Sequence, residues 1–364
     1  MNTTGVSIRD FGGRQLQALL HSVHLGELTN NAVELLSEAL GPGGFRPLSK
    51  TPSWASGVAD DSTPFEFSTA FADGEPTVVR VLLEPTALDP SPAANMDAAV
   101  EVLESLARRC GLPLDRFDAV RDLFLPAQPR GDFSLWFSLV FRKGAPPAIK
   151  IYLNPEVRGE SEASLLVGEG LARLGYGAGH ATIVKHARRR GELDRYSFFA
   201  LDLNDSPGAR VKVYLSHRDA TADDAAMAAA CTRGVSPELV RDFCAMSGGQ
   251  SGPYLERPLV SSYSFLPGDV DRPRGFSLYM PVRTYVNDDA EARERVLAVL
   301  DHHRVNPRSF EDALAAVARR PLTEGTGLIA HVSLRAGAPR PGVTVYLSSE
   351  AYAMASPRVA TLVG

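Results

Sequence analysis

Apolar residues in this chain alternate between two spacings, and the alternation itself repeats. Between residues 13 and 40 they fall at Leu16, Leu19, Leu20, Val23, Leu28, Val33, Leu36 and Leu40, the spacing of one helix face, interrupted near Gly26. After Gly41-Pro42-Gly43-Gly44 the period drops to two, so residues 65–71 and 78–83 read as an antiparallel strand pair. The same order returns four more times along the chain. Helices are predicted over residues 93–109 and 113–123, 160–174 and 178–190, 221–232 and 237–246, and 289–302 and 306–319. The strand pairs that follow them are 133–142 with 148–153, 196–203 with 209–215, 261–266 with 275–282, and 328–336 with 342–347.

A helix–helix–strand–strand unit of roughly 65 to 75 residues is an internal repeat and has to be read as one object. One such unit cannot bury both faces of its hairpin. Closing the strands of all units in a ring, with the helices outside, buries everything and removes every sheet edge. The expected fold is therefore α+β in content: a ten-stranded antiparallel β-barrel built from five ααββ repeats. No Pro/Gly/Ser-rich linker divides the chain, so residues 1–364 are expected to form one barrel domain. A barrel of this size is wide enough to hold ligands inside.

The polar residues that share the lumen then carry the chemistry. Positions i and i+2 of a strand face the same way, so Lys150 points with Tyr152, and Arg210 and Lys212 point with Tyr214. Arg80 stands in the matching strand of the first unit, Tyr279 and Tyr346 in those of the fourth and fifth. Arg80, Lys150, Arg210 and Lys212 bring about four positive charges, which suits the roughly three negative charges of a diphosphate. Like charges gathered in a low-dielectric lumen are costly unless an anion lies between them. The tyrosines offer hydroxyl donors to phosphate oxygens and ring faces to a cation. Glu66 lies between Phe65 and Phe67 with its own side chain on the opposite face. It either faces solvent, as strand glutamates commonly do, or enters the lumen as a directional acceptor for a substrate N–H, where burial raises its pKa.

Composition removes other classes. A hydrophobic fraction of 44% supports an ordinary core, and a formal net charge of −5 with dispersed Lys and Arg argues against a nucleic-acid surface. Three cysteines, Cys110, Cys231 and Cys244, without metal-ligand spacing suggest buried thiols in a reducing, cytoplasmic setting. The first residues carry no leader pattern, and no apolar run approaches the ~20 residues of a membrane helix. Asp60-Asp61, Asp223-Asp224 and Asp288-Asp289 lack a third aspartate at metal-box spacing, and at least two of the pairs suit helix N-termini. No phosphate-binding glycine loop or dinucleotide fingerprint is present, and His302-His303 reads as a solvated helix end. The expected metal requirement is none.

Five segments in order, Trp54-Ala55-Ser56, Asp60-Asp61-Ser62-Thr63-Pro64-Phe65-Glu66, Arg80-Val81-Leu82-Leu83-Glu84-Pro85, Lys150-Ile151-Tyr152-Leu153-Asn154-Pro155 and Arg210-Val211-Lys212-Val213-Tyr214, resemble the bacterial aromatic prenyltransferases of the tryptophan dimethylallyltransferase type. The resemblance spans residues 35–347. It implies the ABBA barrel of that family and transfer of a dimethylallyl group from dimethylallyl diphosphate to the indole of tryptophan or a derivative. It implies no cofactor, with dimethylallyl diphosphate as co-substrate, and small molecules as the only partners of a monomer or homodimer. By position, Glu66 matches the carboxylate that binds the indole N–H. Arg80, Lys150, Tyr152, Arg210, Lys212, Tyr214, Tyr279 and Tyr346 match the diphosphate cage and the tyrosine shield. Ser277 stands where many relatives carry glutamine. A lysine proposed as base in relatives that alkylate indole C4 falls near Trp136, which weighs against C4 here. Arg195, heading the third strand pair, is a candidate partner for the substrate carboxylate. The alternatives are another acceptor in the same barrel (a phenol, a naphthol, or an indole within a peptide or cyclic dipeptide) and a non-catalytic barrel that sequesters a lipid or anionic metabolite.

Overall fold

The computed structural model describes residues 5–337, 341–352 and 355–358, so the reading of residues 1–4 as part of a start without a leader lies outside the described residues. Ten strands close into a barrel in which every neighbouring pair is antiparallel, in the order β1-β10-β9-β8-β7-β6-β5-β4-β3-β2. They are β1 Phe65–Phe71, β2 Val78–Leu83, β3 Leu135–Phe141, β4 Ala148–Leu153, β5 Asp194–Asp202, β6 Val211–His217, β7 Leu259–Phe265, β8 Gly275–Met280, β9 Ile329–Ala336 and β10 Gly342–Ser348. A helical pair precedes each hairpin: α1 Ile8–Ser22 and α2 Thr29–Ala39, α3 Pro92–Cys110 and the short α4 Asp115–Asp118 with α5 Arg121–Phe124, α6 Ala163–Arg173 and α7 Gly177–His186, α8 Ala222–Ala229 and α9 Pro237–Gly248, α10 Asp289–His302 and α11 Arg308–Val317. The expected five repeats are all present. The continuous helix expected over residues 113–123 is instead α4 and α5, parted at fully buried Val120, whose φ of −124° and ψ of −1° leave the helical region.

Local chemistry sets these boundaries. Ser91 caps α3 through the Ala94 amide with Pro92 behind it, and Gly111 ends the helix in the left-handed region. Thr221 and Asp224 close a reciprocal capping box on α8, and Asp288 caps α10, so two of the aspartate pairs serve helix N-termini. Alternation does the rest. Phe65, Phe67, Val79, Val81, Phe137, Leu139, Ile149 and Ile151 point outward and are fully buried beneath the helices. Helix α7 lies so close to the wall that a Cβ on Gly179 would sit 2.4 Å from the Phe265 ring. The opposite face of every strand is left to line a lumen.

The two mouths of the barrel differ by construction. All five β-hairpin turns open at one mouth, and the connections to the helices gather at the other. Among the described residues, no helix is long and apolar enough to cross a membrane. Cys231 and Cys244 are buried as expected, but Cys110, the last residue of α3, is exposed.

Asp289 ties the last helical pair to the barrel. Fully buried, it accepts the amides of Gly327 (3.2 Å), Leu328 (3.2 Å) and Ile329 (2.9 Å) and pairs with Arg320 at 2.5 Å. Replacing it with alanine leaves three amides without their acceptor while Arg320 keeps Glu350 at 2.6 Å, so Asp289→Ala is expected to cost about 2–3 kcal/mol in urea unfolding; a change under 1 kcal/mol would contradict this role.

Candidate active site

From the hairpin mouth inward, a chamber of about 720 Å³ is lined by Arg80, Lys150, Arg210 and Lys212, all four of the expected cations. Their strands bring them together in register: Arg80 lies opposite Ser68 and Val140, Lys150 opposite Ser138 and Asp202, Lys212 opposite Ala200 and Ser264. Three residues that sequence reading passed over join them. Arg142 and Arg335 line the same chamber, and Asp202 stands between cations, 2.7 Å from Arg210 Nε and 3.3 Å from Lys150 Nζ. Same-face alternation would have found each, through Ser138–Val140–Arg142, Ser333–Arg335 and Phe198–Ala200–Asp202. Ser277 also lines this chamber.

Crowding of like charges is legible in their protonation. Burial pushes Lys150 down to about 8, opposed by Asp202 and assisted by Arg210 and Arg80. Lys212 is held well below the usual lysine range, first by burial and then by Lys150 and Arg210. Asp202 stays ionised, because Lys150 and Arg210 outweigh its burial.

Deeper in the lumen the tyrosines form a continuous arc. Ring centroids step from Tyr152 to Tyr214 (5.8 Å), to Tyr279 (5.9 Å) and to Tyr346 (5.9 Å). Burial pushes the Tyr152, Tyr214 and Tyr346 phenols up, so they remain protonated donors. Lys212 Nζ sits 4.8 Å above the Tyr214 ring. This arc presents π-faces to whatever lies below the cations.

Below the arc, toward the helix-connected mouth, lies Glu66, only 5% exposed and opposite Ser348 and Leu82. It faces the lumen, not solvent. Burial raises its pKa to about 8, against the pull of Arg283, with Asp60 and Asp61 adding to the rise. Arg283, on a 3₁₀ turn after β8, donates to Asp60 at 2.8 Å and approaches His331 Nδ1 at 2.9 Å. Two strands from Glu66, on β3, Trp136 packs on Phe133 (4.2 Å) and Phe198 (5.5 Å), level with Tyr152. Behind it, buried Glu84 accepts from Ser56 Oγ (2.5 Å) and Trp54 Nε1 (3.1 Å), pinning the segment before β1 to the wall. The expected partner for a substrate carboxylate, Arg195, is otherwise occupied: its guanidinium grips Glu156 at 2.8 and 2.9 Å and Glu160 at 3.0 Å. Among the described residues, no three His, Cys, Asp or Glu side chains are grouped to hold a metal ion.

A sequence profile of tryptophan dimethylallyltransferases matches residues 32–313. The chain belongs to that family. This dimethylallyltransferase is 48% identical to 6-dimethylallyltryptophan synthase from Micromonospora olivasterospora, solved with DMASPP and Trp, over 97% of this chain and 100% of that one, with a TM-score of 0.92. It is 37% identical to 5-dimethylallyl tryptophan synthase from Streptomyces coelicolor, also solved with DMASPP and Trp, over 98% and 99% of the two chains (TM-score 0.89). It is likewise 37% identical to PriB, solved with product diphosphate, over 97% and 99% (TM-score 0.91). The dimethylallyltransferase is thus an enzyme, a prenyltransferase with the ABBA barrel.

The depressed lysines yield a measurable consequence. A polyanion favours their charged forms, so pyrophosphate binding near pH 8 should take up protons, and affinity should fall as pH rises past about 8, where Lys150 loses its proton in the free enzyme. Calorimetry in two buffers of different ionisation enthalpy measures the uptake; binding with no linked proton would remove the lysines from the anion site.

Proposed function

We propose that this enzyme transfers a dimethylallyl group from dimethylallyl diphosphate to C6 of free tryptophan, and that its own cations replace the metal ion at the diphosphate. The observation that carries the reading is the order of the lumen: a cationic chamber, then the tyrosine arc, then a buried carboxylate. Arg80, Lys150, Arg210 and Lys212, with Arg142 and Arg335, take up the charge that grows on the diphosphate as the allylic C–O bond breaks. Faces of Tyr152, Tyr214, Tyr279 and Tyr346 stabilise the allyl cation and keep water from it. Glu66 accepts the indole N–H and orients the ring; C6 attacks the cation, a C–C bond forms, and loss of the ring proton restores aromaticity.

The choice of C6 is supported by relatives named 6-dimethylallyltryptophan synthases at 48% and 47% identity, against 37% and 38% for those named for position 5. Trp136 weighs against C4, since it stands where C4-alkylating relatives carry lysine, and leaves the choice of C6 to the relatives. A cytoplasmic enzyme acting on small molecules, as monomer or homodimer, completes the proposal.

Glu66→Gln is expected to lower kcat/KM for tryptophan by about tenfold or more, because a hydrogen bond to a charged acceptor is worth about 1.5–3 kcal/mol. In the wild type, kcat/KM for tryptophan at saturating donor should rise with pH through about 8, as Glu66 ionises, and the glutamine variant should lack that limb. Wild-type turnover in the variant would take Glu66 out of the reaction. Full activity is expected in excess EDTA, measured as diphosphate release; complete loss that Mg²⁺ restores would overturn the metal-free reading.

A further inference from the structure

Both tryptophans of the chain, Trp54 and Trp136, converge on one buried carboxylate. Glu84 directly follows β2 and is only 2% exposed, and the register of Leu83 with Phe137 sets it next to Trp136 on the lumen face. Its Oε2 accepts Ser56 Oγ at 2.5 Å and Trp54 Nε1 at 3.1 Å. Trp136 Nε1 is buried, and among the described residues no acceptor meets it in full hydrogen-bond geometry. Burial raises the Glu84 carboxyl to about 7, with Ser56, Trp54 and Trp136 acting against the rise and Asp132 adding to it. Glu84 is thus the acceptor that the Trp136 N–H acts on.

An indole N–H donates only, so it cannot adapt to a partner that also donates. A carboxylate accepts from both indoles and from a hydroxyl without presenting a hydrogen of its own. The far edge of the same ring is held as well. A Cβ on Gly57 would lie 3.5 Å from Trp136 Cζ2, so the backbone that Ser56 ties to Glu84 passes against the benzenoid edge. Phe133 and Phe198 pack on the ring at tilts of 31° and 42°, which limits its position but leaves it free to turn within its own plane. The N–H and the edge contact remove that freedom, and both depend on Glu84.

We propose that Glu84 is a positioning residue for the acceptor: by holding Trp136 Nε1 and the 54–57 segment together, it sets the wall on which the indole lies and so confines transfer to one ring position. It acts through Trp136 rather than by touching substrate. This role rests on the proposed reaction at an indole and does not depend on which ring position is favoured.

Glu84→Gln keeps the shape and turns a donor toward donors. Isomers of dimethylallyltryptophan formed by wild type and variant are separated and assigned by proton NMR, alongside KM for each substrate. The variant should place about a tenth or more of its product at further ring positions and raise KM for tryptophan about fivefold, with KM for dimethylallyl diphosphate within about twofold of wild type. Trp136→Phe removes the N–H but keeps a ring, so adding Glu84→Gln to it should change the isomer ratio by less than about twofold more. In enzyme labelled with ¹⁵N-tryptophan, the two indole N–H signals should shift together as pH passes about 7 and stay in place in Glu84→Gln. An unchanged isomer ratio in Glu84→Gln, or effects of the two substitutions that add, would overturn the positioning role. If Glu84→Gln fails to fold, shown by lost pyrophosphate binding, a Trp136 signal in the wild type that ignores pH overturns it instead. Wild-type transfer to a position other than C6 would remove the proposed regiochemistry, while a spread of that product in Glu84→Gln still upholds the role of Glu84.

Discussion

Cationic side chains do not stay together in a water-poor space unless the backbone leaves them nowhere to go, and the closed ladder of ten strands supplies that constraint. An open sheet could splay at its edge and let Lys150 and Lys212, both buried here, turn to solvent. A ring cannot, because each strand is hydrogen-bonded on both sides and its outer face is buried under a helix. The fold carries the resulting repulsion and moderates it locally. Asp202 lies against Lys150 and Arg210, and the lysines meet the remaining cost by lowered basicity. A polyanion in the chamber relieves the same stress, so the strain of the free protein and its affinity for diphosphate have one origin.

How much was readable in the sequence follows from which distances the reading spans. Period and repeat are local properties, so the five units, the ten strands and the closure of the ring all follow from apolar spacing. So does the convergence of Arg80, Lys150, Arg210 and Lys212, because alternation fixes a face and closure turns that face inward. Arg142, Arg335 and Asp202 obey the same rule and were missed only because no tyrosine stands beside them to draw attention. Arg283 was beyond reach for a different reason. It lies on a 3₁₀ turn, where neither period two nor period 3.6 assigns a direction, and its partner Asp60 is more than two hundred residues away. Arg195 shows the converse limit: its strand position was right, but Glu156 and Glu160, on the connection after β4, decide what its charge does. The break between α4 and α5 belongs here too, since apolar spacing continues through Val120 while its backbone leaves the helical region.

The lumen is divided by height, and the division suits the order of chemical events. Charges able to hold an anion lie at the hairpin mouth, where short turns give a small ligand direct access. The acceptor side lies at the helix-connected mouth, narrowed by the segment that Glu84 pins through Trp54 and Ser56. Between them lies the phenol arc, the layer at which the proposed reaction brings donor and acceptor together. An allyl cation formed at that level has π-faces on one side and a nucleophile on the other. Donor and acceptor therefore meet without either passing through the other's binding groups.

Around the acceptor itself the walls differ in kind, and that difference constrains how an indole lies. One wall is Trp136, stacked on Phe133 and Phe198, with no charge of its own. Buried Glu84 lies behind this ring, so the apolar wall is backed by a carboxylate that Ser56 and Trp54 hold in place. The other wall carries Arg283 and His331, the imidazole kept neutral by burial and by Arg283 and Arg257. An indole hydrogen-bonded at Glu66 packs its ring against the apolar wall, where stacking is favourable, and directs its polar substituent to the wall that can solvate it. In the proposed reaction this sidedness orients the indole: its ring lies toward the apolar wall, and the edge beyond it faces the tyrosine arc.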